Sequence, residues 1–184
     1  MKFWLSLIGY QLVWFAAVIG AAHGVVWPAI LGFLVYATVQ LSLARNIRVD
    51  LTLAATAVVL GFLLDGGLIR TGMASYAAPW PSASFAPAWI LALWATFAMT
   101  FTQSLTWLQH RLWLAVVFGL IGGPLAYLGA ARGWHVLNFH APNWHGLLWL
   151  GVGWALATPL LAWMARRGTE VTVTGQPLPE GTLR

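Results

Sequence analysis

The chain has 184 residues, of which 60% are apolar and only 7% charged, with a formal net charge of +5 and no cysteine. Soluble domains carry about 25% charged residues, and so few charges could not cover the surface of a water-soluble domain of this size. Thiolate metal sites and disulfide scaffolds fall away with the cysteines. An integral membrane protein remains.

Six apolar runs follow one another: Phe3–Ala22, Val25–Ala44, Leu51–Ile69, Pro87–Leu108, Leu112–Ala131 and Gly146–Ala165. Each is near the ~20 residues that cross a ~30 Å hydrocarbon layer. Backbone groups in lipid must bond within their own segment or in a closed barrel, and runs without strict alternation predict helices. The fold class is therefore an all-α integral membrane protein of six transmembrane helices. Residues 1–167 form the transmembrane domain, and the polar segment 168–184 is expected to be a flexible cytoplasmic tail. Lys2 followed by an apolar run ending in "GAAHG" loosely has the form of a signal peptide. The run exceeds the ~7–15 apolar residues of such a segment and leads straight into another, so it reads as an uncleaved first helix.

Orientation follows from the basic residues. With a cytoplasmic N-terminus, Lys2, Arg45, Arg48, Arg111, Arg166, Arg167 and Arg184 lie inside, and only Arg70 and Arg132 lie outside. This is the positive-inside bias of short loops, and it places both termini in the cytoplasm. The net charge then reads as attraction to anionic headgroups; no basic stripe suggests nucleic acid.

Asp65, in "GFLLDGGLIR", is the one acid inside a spanning run, near the outer end of the third helix. An acid in this setting costs about 2.5–3.5 kcal/mol at a helix centre and is a functional candidate by default. Arg70, Arg132 and His23 are its expected partners, either in a structural pair or around a ligand. Asp50 sits at a cytoplasmic boundary.

The stretch "WHVLNFHAPNWHG" places His135, His140 and His145 on the outer face, between the fifth and sixth helices. Their spacing of five matches no single helical face and no compact zinc pattern. The segment is expected to cap the mouth of the bundle as a polar lid, with no metal assigned to it.

On the fourth helix, Trp89, Leu93, Thr96, Thr100, Gln103 and Trp107 recur at helical spacing and predict one inward face, either for interhelical hydrogen bonding or as the lining of a cavity. Gln11 and Gln40 are further interior candidates. Among the 13 tryptophans, Trp27, Trp80, Trp89, Trp134 and Trp144 are expected at the outer interface, and Trp113 and Trp163 at the inner one. Gly20/Gly24, Gly119/Gly123 and Gly129/Gly133 have the spacing that lets helices approach closely. Pro124 and Pro159 are expected to kink their helices.

"APAWILALW" and "APNWHGLLW" share Ala-Pro-x-Trp with a second Trp five positions on, and Pro28 opens another helix of the same direction. The pattern suggests three tandem helical hairpins. "FLLDGGLIRTG", "APAWILALWATFAMTFTQSLTWL" and "GGPLAYLGAARG", in this order and spacing, resemble an uncharacterised bacterial inner-membrane family, domain of unknown function 2878. The features that carry the resemblance are Asp65, Pro87, Trp89, Trp94, the Gly123-Pro124-Leu125 turn, Tyr127 and Gly129. The resemblance implies a location in a bacterial inner membrane and brings no activity; the His-rich loop lies outside its pattern.

Three functional readings stand side by side. The first is binding or transport of a small amphipathic or lipid-like ligand at the outer end of the bundle. The second is an enzyme using Asp65 and histidine chemistry on a lipid or isoprenoid substrate. The third is an assembly subunit without a ligand. Membrane lipids are the expected partners, and no cofactor or oligomeric state follows from the sequence.

Overall fold

The computed structural model describes residues 2–174. Six α-helices follow in order: α1 (Lys2–Ala22), α2 (Trp27–Leu43), α3 (Ile47–Arg70), α4 (Ala88–Met99), α5 (Leu112–Trp134) and α6 (Asn143–Thr174). Of these, α1, α3, α5 and α6 are long and apolar enough to cross a membrane, whereas α2, with 17 residues, and α4, with 12, are shorter. Residues 168–174 of the polar segment continue α6, and the rest of the expected tail lies outside the described residues.

Proline opens alternate helices. Pro28 is in the first turn of α2, Pro87 is the N-cap of α4, and Pro142 immediately precedes α6. At these positions the missing N–H has no helical partner to lose. Each proline-opened helix packs most extensively on the helix before it: α2 on α1, α4 on α3, and α6 on α5. The second tryptophans of the two related stretches both donate to one turn of α3. Trp94 Nε1 reaches Asp65, and Trp149 Nε1 donates to the Leu64 carbonyl at 2.9 Å. Glycines on α3 make room for both rings, since a Cβ at Gly61 would lie 2.3 Å from Trp94, and one at Gly67 would lie 2.6 Å from Trp149.

Helix α4 is the centre of the bundle. Every residue from Trp89 to Met99 except Leu91 is buried, which is why the helix is apolar all round. It packs against α1, α2 and α3. The expected fourth spanning helix to Leu108 is broken after Met99 into two short 3-10 turns, Thr100–Thr102 and Thr106–Leu108. Where the helix breaks, hydroxyls compete for the backbone carbonyls. Thr100 Oγ1 donates to the Phe97 carbonyl, and the single hydroxyl hydrogen of Thr102 is shared between Asp50, the closer acceptor, and the Met99 carbonyl at 3.2 Å. The Phe101 carbonyl is taken by Gln109 Nε2 at 2.8 Å. The predicted single face therefore ends early: Thr96 and Thr100 are buried, Gln103 is half-buried, and Trp107 is exposed.

Other expectations sort by local packing. Gly119 and Gly123 face Trp154 of α6 at close approach, but nothing lies within 4 Å of a Cβ at Gly129 or Gly133, and Gly24 (φ +75°) forms a turn. Gln40 is buried and Gln11 exposed. Trp27, Trp80, Trp144, Trp113 and Trp163 are exposed, as interface anchors would be; Trp89 is not, being buried with its Nε1 donating to the Ala77 carbonyl.

A strand pair departs from the all-helical expectation. β1 (Ala74–Tyr76) pairs antiparallel with β2 (Leu137–Phe139), Ser75 opposite Asn138. The pair links the segment after α3 to the segment after α5 across one end of the bundle.

The α5–α6 contact is tested by a glycine comparison. A Cβ at Gly119 would lie 2.1 Å from the Trp154 carbonyl oxygen, so Gly119→Ala is expected to lower stability by about 1–3 kcal/mol. Gly129→Ala, in open space on the same helix, is expected to be neutral or to stabilise by about 0.5–1 kcal/mol. Thermal unfolding in detergent reads both; equal losses would refute the close contact.

Candidate functional site

Asp65 lies in the last turns of α3 and is 0% exposed. An isolated carboxylate could not remain in such a place, because burial removes its hydration and must be offset by hydrogen bonds. Three neutral donors supply them from three elements. Tyr76 Oη of β1 donates to Oδ1 at 2.5 Å, Tyr127 Oη of α5 donates to the same oxygen at 2.8 Å, and Trp94 Nε1 of α4 donates to Oδ2 at 2.7 Å. Trp94 can only donate, so Asp65 accepts from it as a carboxylate oxygen does. Burial and, after it, the neighbouring Asp65 hold the Tyr76 hydroxyl well above its ordinary pKa, which keeps it a donor.

The residues named as partners of Asp65 from the sequence are elsewhere. Arg70, Arg132 and His23 are exposed, and His23 Nδ1 pairs with the Ile19 carbonyl at the end of α1. Among the described residues the one ion pair is Arg166 with Glu170 on α6. The acid–base pairing of Asp65 with a histidine is thus replaced by a cluster of phenol and indole donors. Sequence reasoning missed Tyr76, and it named Trp94 and Tyr127 only through the family resemblance. The signal for Trp94 was present in the repeated stretch, whose second tryptophan bonds α3 both times.

His135, His140 and His145 do not converge. His135 terminates α5 in a left-handed conformation (φ 54°). His140 ties the strand pair together, with Nδ1 at 2.8 Å from the Gly72 carbonyl, Nε2 at 3.2 Å from Ser75 Oγ, and its N–H on the Met73 carbonyl. His145 packs against Trp144 in the first turn of α6. Among the described residues no three His, Cys, Asp or Glu side chains are grouped as metal ligands.

Beside the carboxylate cluster is a chamber of about 250 Å³. Its walls come from α1 (Leu7, Tyr10, Trp14, Val18), from α4 and the turns after it, and from a small-residue strip of α5 (Gly119, Gly122, Gly123, Ala126). Tyr76, Trp89, Trp94 and Tyr127 close the end next to Asp65, backed by Trp154, which stacks on Trp94 with centroids 4.0 Å apart and planes 15° from parallel. Thr100 and Ser104 lie at the other end, where Ser104 Oγ meets Ser6 Oγ at 3.2 Å and Ser6 Oγ meets Tyr36 Oη at 3.1 Å. Leu7 and Phe118 line the chamber and are exposed, so it reaches the molecular surface between α1 and α5, which touch each other sparingly. Of the sequence-named candidates, Trp89 and Thr100 line this space; Thr96, buried, spends its hydroxyl on the Ala92 carbonyl, and Gln103 faces a separate polar hollow beside Asp50 and Thr102.

The partner assignment makes a sharp contrast. Trp94→Phe and Tyr127→Phe each remove a donor to a buried carboxylate and are expected to lower stability by about 1.5–3 kcal/mol. Arg70→Ala and Arg132→Ala should stay within about 0.5 kcal/mol of the parent. Chemical unfolding in mixed micelles measures all four, and large losses at the arginines would return Asp65 to an ionic partner.

No solved structure and no curated protein matches the chain. A family model does, over residues 3–160, and that stretch contains the whole carboxylate cluster and the chamber. The chain belongs to the protein family of unknown function DUF2878.

Proposed function

We propose that the protein is a multi-pass protein of the bacterial inner membrane that binds or carries a small amphipathic or lipid-like ligand. The observation that carries this reading is the apolar chamber beside the Asp65 cluster, open at the surface between α1 and α5. Apolar cavities of this kind hold hydrocarbon in preference to water. Along α1 the chamber runs from Leu7 to Val18, about 16 Å at ~1.5 Å per residue, which suits an extended chain. The ligand lies along the middle of the bundle with one end against the cluster; the sequence had placed it at the outer mouth. The strand pair and His140 form the lid over that end, on the outer side when both termini are cytoplasmic.

Two measurements test this. Gly122 lines the chamber and a Cβ there would meet nothing within 4 Å, so Gly122→Phe fills the space without moving the backbone. Native mass spectrometry of gently purified protein is expected to show a bound lipid-like molecule that this variant loses while keeping its thermal stability. Retention of the molecule by the variant would exclude the chamber as its site. For orientation, an activity reporter fused after Arg184 should work only in the cytoplasm, and periplasmic activity would invert the bundle.

A further inference from the structure

The chamber's electrostatics select the charge of what enters it. Asp65 brings a carboxylate into the bundle with no cation to balance it: its three partners are neutral donors. Among the described residues no Lys, Arg or His lines the chamber. The field inside is therefore negative and weakly screened, since effective dielectric falls well below that of water away from the surface. An anionic head would be repelled there, and a cationic head would supply the missing counter-charge.

Hydrogen bonding narrows the class of cation. Beside Asp65 the hydroxyl hydrogens on the walls are already committed, Tyr76 and Tyr127 both donating to the carboxylate; farther along, Thr100 donates to the Phe97 carbonyl, Ser104 meets Ser6, and the Tyr10 phenol also lines the wall. The Trp154 Nε1 hydrogen has no partner, but it is buried away from the free space. A primary ammonium has three donors to satisfy, and beside Asp65 the side chains on the walls offer it only the lone pairs of the Tyr76 and Tyr127 hydroxyl oxygens. A quaternary ammonium has none. Its attraction is to remote charge and to aromatic rings, and aromatic enclosures are the recurrent protein solution for this group. Tyr76, Trp89, Trp94 and Tyr127 surround the chamber end nearest Asp65, while the rest of the wall mixes aliphatic residues and glycines with Tyr10, Trp14, Phe97 and Phe118.

Resting on the reading above that the chamber holds an amphipathic ligand, we propose that this ligand is a lipophilic cation, a hydrocarbon chain carrying a quaternary ammonium head that sits among Tyr76, Trp89, Trp94 and Tyr127 in front of Asp65. The chain lies toward Leu7 and Phe118, where the chamber opens. The carboxylate acts through its hydroxyl and indole donors and stays out of contact with the head.

The test compares heads on one chain. Full-length protein in uncharged detergent is titrated with dodecyltrimethylammonium, dodecanol and dodecyl phosphate, with tryptophan fluorescence as the readout and Gly122→Phe as the blocked-chamber control. The expected result is that the cation binds about tenfold or more tighter than the alcohol, and the phosphate weakest of all. Asp65→Asn should bring the cation down to the alcohol's affinity without weakening the alcohol. Where that variant is too unstable to purify, the order of the three heads on the unmodified protein decides the matter. Equal binding of all three, or tightest binding of the phosphate, overturns the cation and leaves the chamber as a lipid site. Binding of none, or binding unaffected by Gly122→Phe, overturns the chamber reading itself.

Discussion

A carboxylate cannot stay inside an apolar bundle without donors, and Asp65 collects its donors from three separate pieces of chain. Tyr76 comes from the strand after α3, Trp94 from the central helix, and Tyr127 from α5. None of these is near the others in sequence, so satisfying one oxygen pair fixes the strand pair, the core helix and the α5–α6 hairpin against α3 at a single point. The glycine at position 61 is part of the same arrangement, because the Trp94 ring occupies the volume that any side chain there would fill. Polar groups are costly to leave unpaired where no water reaches, so the cluster is made whole or not at all.

The other end of α3 repeats the solution with different partners. Asp50, 2% exposed, accepts from Thr102 Oγ1 and lies in the first helical turn, where the N-terminal partial positive charge of α3 favours an anion. The break in α4 is what presents Thr102 to it. The interruption of the central helix and the buried acid of its neighbour therefore explain each other. Both acids of α3 accept from neutral groups and, among the described residues, neither is in an ion pair, although Lys2 and Arg45 line the hollow beside Asp50.

Five helices were legible in the sequence because apolar runs of membrane length report helices directly, and the proline-opened repeat foretold which neighbours pair. The extent of α4 was not legible, since hydroxyl competition depends on Asp50 and Gln109 approaching from elsewhere. The strand pair was hidden for a similar reason: "ASY" and "LNF" are too short to show alternation, and their pairing is set by where α3 and α5 end. Asp65 stood out as the crucial polar group, but its partners were sought among cations. Phenol and indole groups serve better in this place. They bury most of their surface as hydrocarbon and offer one donor each, whereas an arginine would itself need desolvating.

The persistence of the chamber also follows from the setting. In water, apolar walls would be drawn together by the hydrophobic effect, and a void between α1 and α5 would tend to close. Among lipid chains, the setting that four helices of this length and apolarity suit, that force between helices is absent, and association rests on packing and hydrogen bonds. Along α5, Gly119 and Gly123 direct their close packing to α6, while Gly122 leaves open space on the chamber side. Across the chamber, α1 is held by α2 and α4 and by the Ser6 contacts to Tyr36 and Ser104, so it gains little by moving toward α5. Aromatic rings pinned by their hydrogen bonds to Asp65 cannot swing in to fill the gap. The same buried carboxylate that fastens the bundle together thus holds one side of it apart.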